Sequence, residues 1–262
     1  MPRLAAIAAY GFADLPTARL LRAFVGLGVR SLQFYRNEAN PPTPAEALRL
    51  AADAGLGFDS IHGVFGPAYD PSSPDEPTRR AAVEAYRREG ELALQLTGPA
   101  VVVHPSPPDT VDSTQRSDAL RRTAAELAAM GEKLGVTYLL ENLPGTFAAA
   151  SPRIVAAVVR EIASPHLRMC FDTGHAHMVG DIAADLREAA DTISYLHIHD
   201  NDARKDDHRI PGDGSIPWDA LRPAFAALGP AVPAMLELFQ SPDDLTARAA
   251  TGLPARLYRW LT

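Results

Sequence analysis

The chain is poor in several features that would assign a class on their own. It holds one cysteine, Cys170, in 262 residues. An internal disulfide and any cysteine-based zinc site are thereby excluded. A reducing compartment, the cytoplasm, is the expectation. No apolar run approaches the roughly 20 residues needed to span a bilayer, so no membrane partner is expected. The N-terminal MPRLAAIAAYGF reads as a strand and not as a secretion signal. Positive charge is also in deficit: 25 Lys and Arg stand against 32 Asp and Glu, a formal net charge of −7. That disfavours a nucleic-acid partner bound through a basic stripe, although a bound metal can supply positive charge locally. No linker, repeat or low-complexity tract divides the chain, so residues 1–262 are expected to form one domain. The 23 prolines cluster in loops such as 41–42, 67–77 and 105–108.

What is present is a regular alternation. Short apolar segments fall at 4–10, 31–35, 58–62, 100–104, 138–141, 169–172, 195–199 and 235–239. Between them the apolar residues recur at helical spacing over 17–27, 44–54, 75–96, 113–134, 152–162, 182–190 and 218–228, and a closing helix is expected over 244–260. Thr43-Pro44 and Ser151-Pro152 have the form of an N-cap followed by proline in the first turn. Gly28, Gly55, Gly98 and Gly135 have the form of helix stops. Eight strand–helix repeats predict an α/β fold, a single (β/α)8 TIM barrel, with its active site at the C-terminal mouth of the strands. An open doubly wound sheet would carry a phosphate-binding glycine turn after strand one, and Ala9-Tyr10-Gly11-Phe12 is not one.

The last six strands share one property: each ends in a residue type that binds metal. The endings are SIHG (His62), VVVHP (His104), YLLEN (Glu141), CFDTGH (Asp172, then His175), YLHIHD (His197 and His199) and MLELF (Glu237). Asp206 and His208 follow in one loop. Residues two apart on a strand share a face. Glu141 therefore lies above Leu139, Asp172 above Cys170, His197 above Tyr195 and Glu237 above Met235. A barrel gathers these ends around one mouth, where that density of buried carboxylate and imidazole requires a cation. The expected ligands are His62, His104, Glu141, Asp172, His175, His197, Asp206, His208 and Glu237. Mixed nitrogen and oxygen donors suit Zn²⁺ or Mn²⁺, with Co²⁺ or Fe²⁺ also compatible. Nine side chains exceed the needs of one ion, and four carboxylates balance two divalent ions; one to three ions remain open.

These motifs, with the GDGSIPW stretch at 212–218, resemble the xylose isomerase-like TIM barrels, which include sugar phosphate isomerases and epimerases and endonuclease IV. The likeness spans about residues 61–239 and is specific for the superfamily. The nine-ligand set is similar to the trinuclear zinc site of endonuclease IV. The LHIHDND…GDGSIPW wording is closer to the isomerase and epimerase branch. There, positions like Glu141, Asp172, the strand-seven histidine and Glu237 bind one ion, and Glu141 and Glu237 also move the proton. The resemblance implies a metal-dependent isomerase or epimerase of a sugar, sugar phosphate or related polyol, working through a metal-bound enediolate. It also implies a small-molecule partner and allows a homodimer. The alternative it implies is a zinc phosphodiesterase acting at abasic DNA sites; a non-catalytic metal- or sugar-binding barrel is the third reading.

Several residues have plainer readings. His197 is favoured as the strand-seven ligand, while His199 is open between ligation, support of a ligand and substrate contact. Arg204, Lys205 and Arg209 are candidates for a substrate anion, with a solvated loop as the competing reading. His177 reads as a loop residue, Cys170 and Trp218 as packing residues, and the 63–77 loop as a lid or substrate wall.

Overall fold

Strand β1 (Leu4–Tyr10) is buried along its whole length, as a strand covered on both faces must be. In this computed structural model, which describes residues 3–12 and 15–262, seven more parallel strands follow it. They are β2 (Ser31–Arg36), β3 (Phe58–His62), β4 (Ala100–Val103), β5 (Thr137–Glu141), β6 (Leu167–Asp172), β7 (Ile193–Ile198) and β8 (Ala234–Leu236). They pair in chain order and β8 closes on β1, giving the (β/α)8 barrel. The outer ring is formed by α1 (Thr17–Gly26), α2 (Pro44–Asp53), α3 (Glu76–Gln95), α4 (Thr114–Leu134), α5 (Pro152–Ile162), α6 (Thr173–Val179), α7 (Ile182–Ala189), α8 (Trp218–Leu228), α9 (Pro242–Ala250) and α10 (Leu253–Leu261).

Local chemistry accounts for the helix ends. Thr43 and Ser151 accept hydrogen bonds from the backbone N–H groups of Glu46 and Ile154, each with proline in the first turn. Gly28, Gly55 and Gly135 take left-handed conformations, whereas after α3 that conformation falls on Thr97 instead of Gly98. Three expectations need correction. The closing helix is two, because the chain breaks at Thr251-Gly252 and restarts with Pro254 in the first turn of α10. The last strand is three residues, and Glu237 to Phe239 lie beyond its ladder. Helix α6 was not expected; Asp172 starts it by accepting the His175 N–H at 2.7 Å.

The core has two layers. Leu, Ile, Val and Phe side chains fill the space between strands and helices, each contributing about 1.5–3 kcal/mol when fully buried. Inside the barrel, Ala5, Ile7, Val102, Leu139, Cys170, Tyr195 and Met235 form a smaller cluster. Burial pushes the Cys170 thiol up to about 12, which makes it inert packing and no nucleophile. At the opposite end of the barrel, Asp59 accepts from Ser31 Oγ at 2.5 Å and Tyr195 Oη at 2.9 Å and pairs with Arg3 at 3.1 Å. The inner apolar cluster is therefore a floor, and the polar strand ends stand on it.

Candidate metal centre

Register delivers the site. Glu141 pairs with Cys170, Asp172 with His197, and His197 with Met235 along neighbouring strands. The inward-facing residues one step above the floor are thus Glu141, Asp172, His197 and Glu237, all buried. Their ligand atoms, one from each residue, lie within 4.8 Å of one another. His197 Nδ1 is 3.0 Å from Glu141 Oε1, 3.1 Å from Glu237 Oε2 and 3.8 Å from Asp172 Oδ2.

Two further clusters flank this one. On one side stand His62 and His104 with Glu141, whose Oε2 is 3.2 Å from His104 Nε2. On the other stand His175, His199, Asp206 and His208. Asp206 Oδ2 is 3.1 Å from His175 Nε2 and 3.2 Å from His208 Nε2. All nine expected ligands are therefore brought together, and His199 joins them as a tenth.

The hydrogen bonds behind the rings orient the nitrogens. His62 Nδ1 lies 3.0 Å from the Gly63 carbonyl, His175 Nδ1 3.0 Å from the Asn142 carbonyl and His208 Nδ1 3.1 Å from the Glu237 carbonyl. A carbonyl only accepts, so each Nδ1 carries hydrogen and each Nε2 is left for the interior. That is the arrangement by which proteins fix metal-binding imidazoles. Glu141 Oε2, Glu237 Oε2, Asp206 Oδ1, His197 Nε2 and His199 Nδ1 are buried without a hydrogen-bond partner. Glu141 Oε2 and Glu237 Oε2 approach imidazole nitrogens to within 3.2 Å without the alignment of a hydrogen bond. Buried nitrogen and oxygen donors gathered this closely, several of them unpartnered, fit divalent cations between them.

Electrostatics agree. Burial opposes charge on Glu141 and Glu237, but His197 and the other neighbouring imidazoles hold both carboxyls well below the usual range. Asp206 is lowered likewise by His175 and His208, against its burial. The carboxylates in turn hold protons on the rings. His175 and His197 are raised despite burial, and His208 rises to about 9, mainly through its contact with Asp206. His62 goes the other way, to about 4, because it is buried beside His104. Protons thus occupy the place that metal charge can take.

The structure also identifies residues that sequence reasoning passed over. Asn142 clamps β5 to β6, accepting the Asp172 N–H at 2.9 Å and donating to the Asp172 carbonyl at 3.0 Å. Asp200 accepts from Gly212 N at 2.8 Å, Ile216 N at 3.1 Å and Trp218 Nε1 at 2.8 Å. It is the hub of the GDGSIPW stretch, and Trp218 packs against Trp260 instead of facing a substrate. Gly174 is required by His199: a Cβ there would collide with the imidazole ring. His208 adopts φ +46°, a strained conformation for histidine, tied down by Gln240 donating to its carbonyl at 2.8 Å.

Above the clusters opens a cavity of about 510 Å³. Its aromatic rim is Tyr35, Phe65, Phe147 and Phe239, so the 63–77 loop does form a wall. The signal in sequence was an aromatic residue at or just past a strand end. Arg204 and Arg209 do not line this cavity. Arg209 turns to Asp207, at 2.5 Å, and to Asp202, at 3.4 Å; Arg204 and Lys205 are exposed. His177, expected in a loop, lies in the last turn of α6 and meets Ser215 Oγ at 2.9 Å.

A family model described as xylose isomerase-like TIM barrel matches residues 5–256. The chain belongs to the xylose isomerase-like TIM barrel family. Among curated members, an uncharacterized protein of Methanocaldococcus jannaschii is 31% identical over 164 residues, 60% of this chain and 56% of that protein. The D-psicose 3-epimerase of Ruminiclostridium cellulolyticum is 27% identical over 60% of this chain and 55% of its own length. The probable endonuclease 4 of Bacillus velezensis is 27% identical over 55% and 54% respectively. These matches span little more than half of each relative. Solved structures in the family superpose over nearly the whole chain. A D-tagatose 3-epimerase-like protein gives a TM-score of 0.78 at 21% identity, covering 99% of this chain and 97% of that one. An AP endonuclease, family 2, from Brucella melitensis gives 0.74 at 18% identity, covering 95% and 99%. At such identities the likeness carries the fold alone.

Proposed function

We propose that this protein is a divalent-metal-dependent epimerase or isomerase that moves a proton on a sugar. The observation that carries the reading is the pair Glu141 and Glu237. They end β5 and follow β8, lie 3.0 and 3.1 Å from His197 Nδ1, and each keeps an oxygen free of hydrogen bonds. Two carboxylates from separate strands of the barrel, gathered at one point, suit removal of a carbon-bound proton by one and its return by the other. Glu141, Asp172, His197 and Glu237 would hold the ion. A cation held there supplies a Lewis acid toward a carbonyl and adjacent hydroxyl. The aromatic rim offers flat apolar surface to a sugar ring, and Phe65 and Pro67 of the 63–77 loop line that side of the cavity. Among the described residues no helix is long and apolar enough to cross a membrane.

A second reading, phosphodiester hydrolysis at abasic DNA, has one specific support. The flanking clusters around His62 and His104, and around His175, His199, Asp206 and His208, offer donors for ions beyond those that proton transfer needs. Against it stand the net charge of −7 and a cavity lined by no arginine or lysine. The experiment is turnover of ketoses, aldoses and their phosphates in deuterated water. Deuterium at the reacting carbon supports proton transfer. Cleavage of abasic-site DNA without turnover of any sugar contradicts it and assigns the nuclease.

A further inference from the structure

Beside the metal-facing cavity lies a second chamber that the ligand clusters do not use. It has a volume of about 460 Å³ and is walled by Ala9, Leu15, Leu20 and Leu238, with the amides of Asn37 and Gln240 at its edge. The two chambers share Ile7, Tyr35 and Phe239, so they are adjoining compartments of one mouth. Tyr35 stacks between Phe12, at 5.6 Å, and Phe65, at 6.2 Å, and this aromatic wall runs from one compartment to the other. Phe12, Phe65 and Phe239 are 37%, 43% and 56% exposed, so the large apolar surface left to solvent here borders these chambers. Clustered exposed aromatics around a concavity mark a binding surface. Among the described residues, no ionisable side chain other than Tyr35 lines the second chamber. The metal-facing cavity alone is already in the range of a complete small-molecule site, roughly 300–1,000 Å³.

We propose that the substrate is an uncharged sugar derivative carrying an apolar substituent, with the sugar over the ligand clusters and the substituent in the Ala9–Leu15–Leu238 chamber. The proposal rests on the reading of the site as sugar-binding and narrows it. A phosphate in the same place would meet an apolar wall without a counter-charge, so free sugar phosphates are the disfavoured class. Continuity with the metal-facing cavity is what assigns the chamber to part of the substrate and not to a second copy of the chain.

The test is calorimetric titration of the metal-loaded full chain with methyl and phenyl glycosides of glucose, galactose and mannose. At least one phenyl glycoside should bind roughly 10-fold or more tightly than its methyl counterpart, the scale expected for burying a ring in an apolar site. Ala9→Phe, which fills the chamber, should abolish that preference and leave metal content and methyl-glycoside affinity unchanged. Leu15→Trp at the rim serves the same purpose if Ala9→Phe does not fold. The proposal is overturned if no phenyl glycoside gains over its methyl partner, or if the gain survives a folded chamber-filling variant. It is also overturned if the protein sediments as a dimer that Phe239→Ser dissociates, which gives the face to a second copy. The glycosides are acetals without a carbonyl and serve as binding probes alone, so a phenyl preference together with no deuterium exchange into any ketose or aldose would leave the chamber standing and remove the proton-transfer reading. Exchange without the preference would do the reverse.

Discussion

Glu237 has a free oxygen, a neighbouring imidazole and a place in the cavity lining, and in the proposed reaction it is a base. Glu237→Gln keeps its shape and one oxygen donor but removes the base. Proton exchange should fall by roughly 10²-fold or more while metal content, measured on the same sample, stays near that of the parent. Gly174 and His199 form a second pair that can be tested. Gly174→Ala alone should destabilise the protein by about 1–3 kcal/mol in urea unfolding, because the ring of His199 must move. Adding His199→Ala should recover most of that loss, whereas purely additive costs would show that the two do not act on each other. Most of the candidate ligands were legible in sequence because they close or directly follow an apolar strand, where a polar residue stands out. His199 was less so: His197 and His199 share a face, and only the opening left by Gly174 shows where the second ring goes. Asp200 was silent because an aspartate at the start of a polar loop looks like a solvated one.

At the scale of elements, the loop from Asn201 to Pro217 carries Asp206 and His208 of the third candidate cluster, and Asp200 holds it. Asp200→Ala strands the N–H groups of Gly212 and Ile216 and the indole of Trp218, at a cost of about 3 kcal/mol. Unfolding followed by tryptophan fluorescence should show that loss. An unchanged midpoint would mean that the loop holds itself. Removing Asp206 and His208 together should lower metal stoichiometry by one ion and leave the rest; equal stoichiometry in both proteins would reduce the third cluster to a substrate loop. Strand order and most helix bounds were readable because strands buried on both faces appear as short apolar runs between amphipathic helices. Helix α6 was not, since seven residues carry too little periodicity and its cap, Asp172, reads first as a ligand. The last helix reads as continuous in apolar spacing, and only Gly252 with Pro254 marks the break. The short β8 hid because Glu237 to Phe239 keep strand-like alternation after the ladder ends.

At the scale of the whole molecule, the mouth concentrates charge that only protons or metal can balance. In metal-free protein, His175, His197 and His208 hold protons more tightly folded than unfolded. For such groups the folded state binds more protons, so stability falls as pH rises above the unfolded value. Metal-free protein should therefore lose melting temperature between about pH 6.5 and about pH 9, the ordinary value of histidine and the raised value of His208. His62, lowered to about 4, acts only below that window. Metal-loaded protein should show a flatter curve, because the ion replaces those protons, and a metal-free curve equally flat would count against the account. Loading near pH 7 should release protons, seen as a binding enthalpy that varies with buffer. The closed barrel brings to one mouth ligands that stand far apart along the chain, and their convergence on cations is the central claim. Elemental analysis of protein purified without chelator or added metal tests it most directly. The account predicts at least one tightly held divalent transition ion per chain, lost when Glu141 and Asp172 are both replaced by alanine. Protein that carries far less than one ion, and takes up neither Zn²⁺ nor Mn²⁺ when they are supplied, would contradict it.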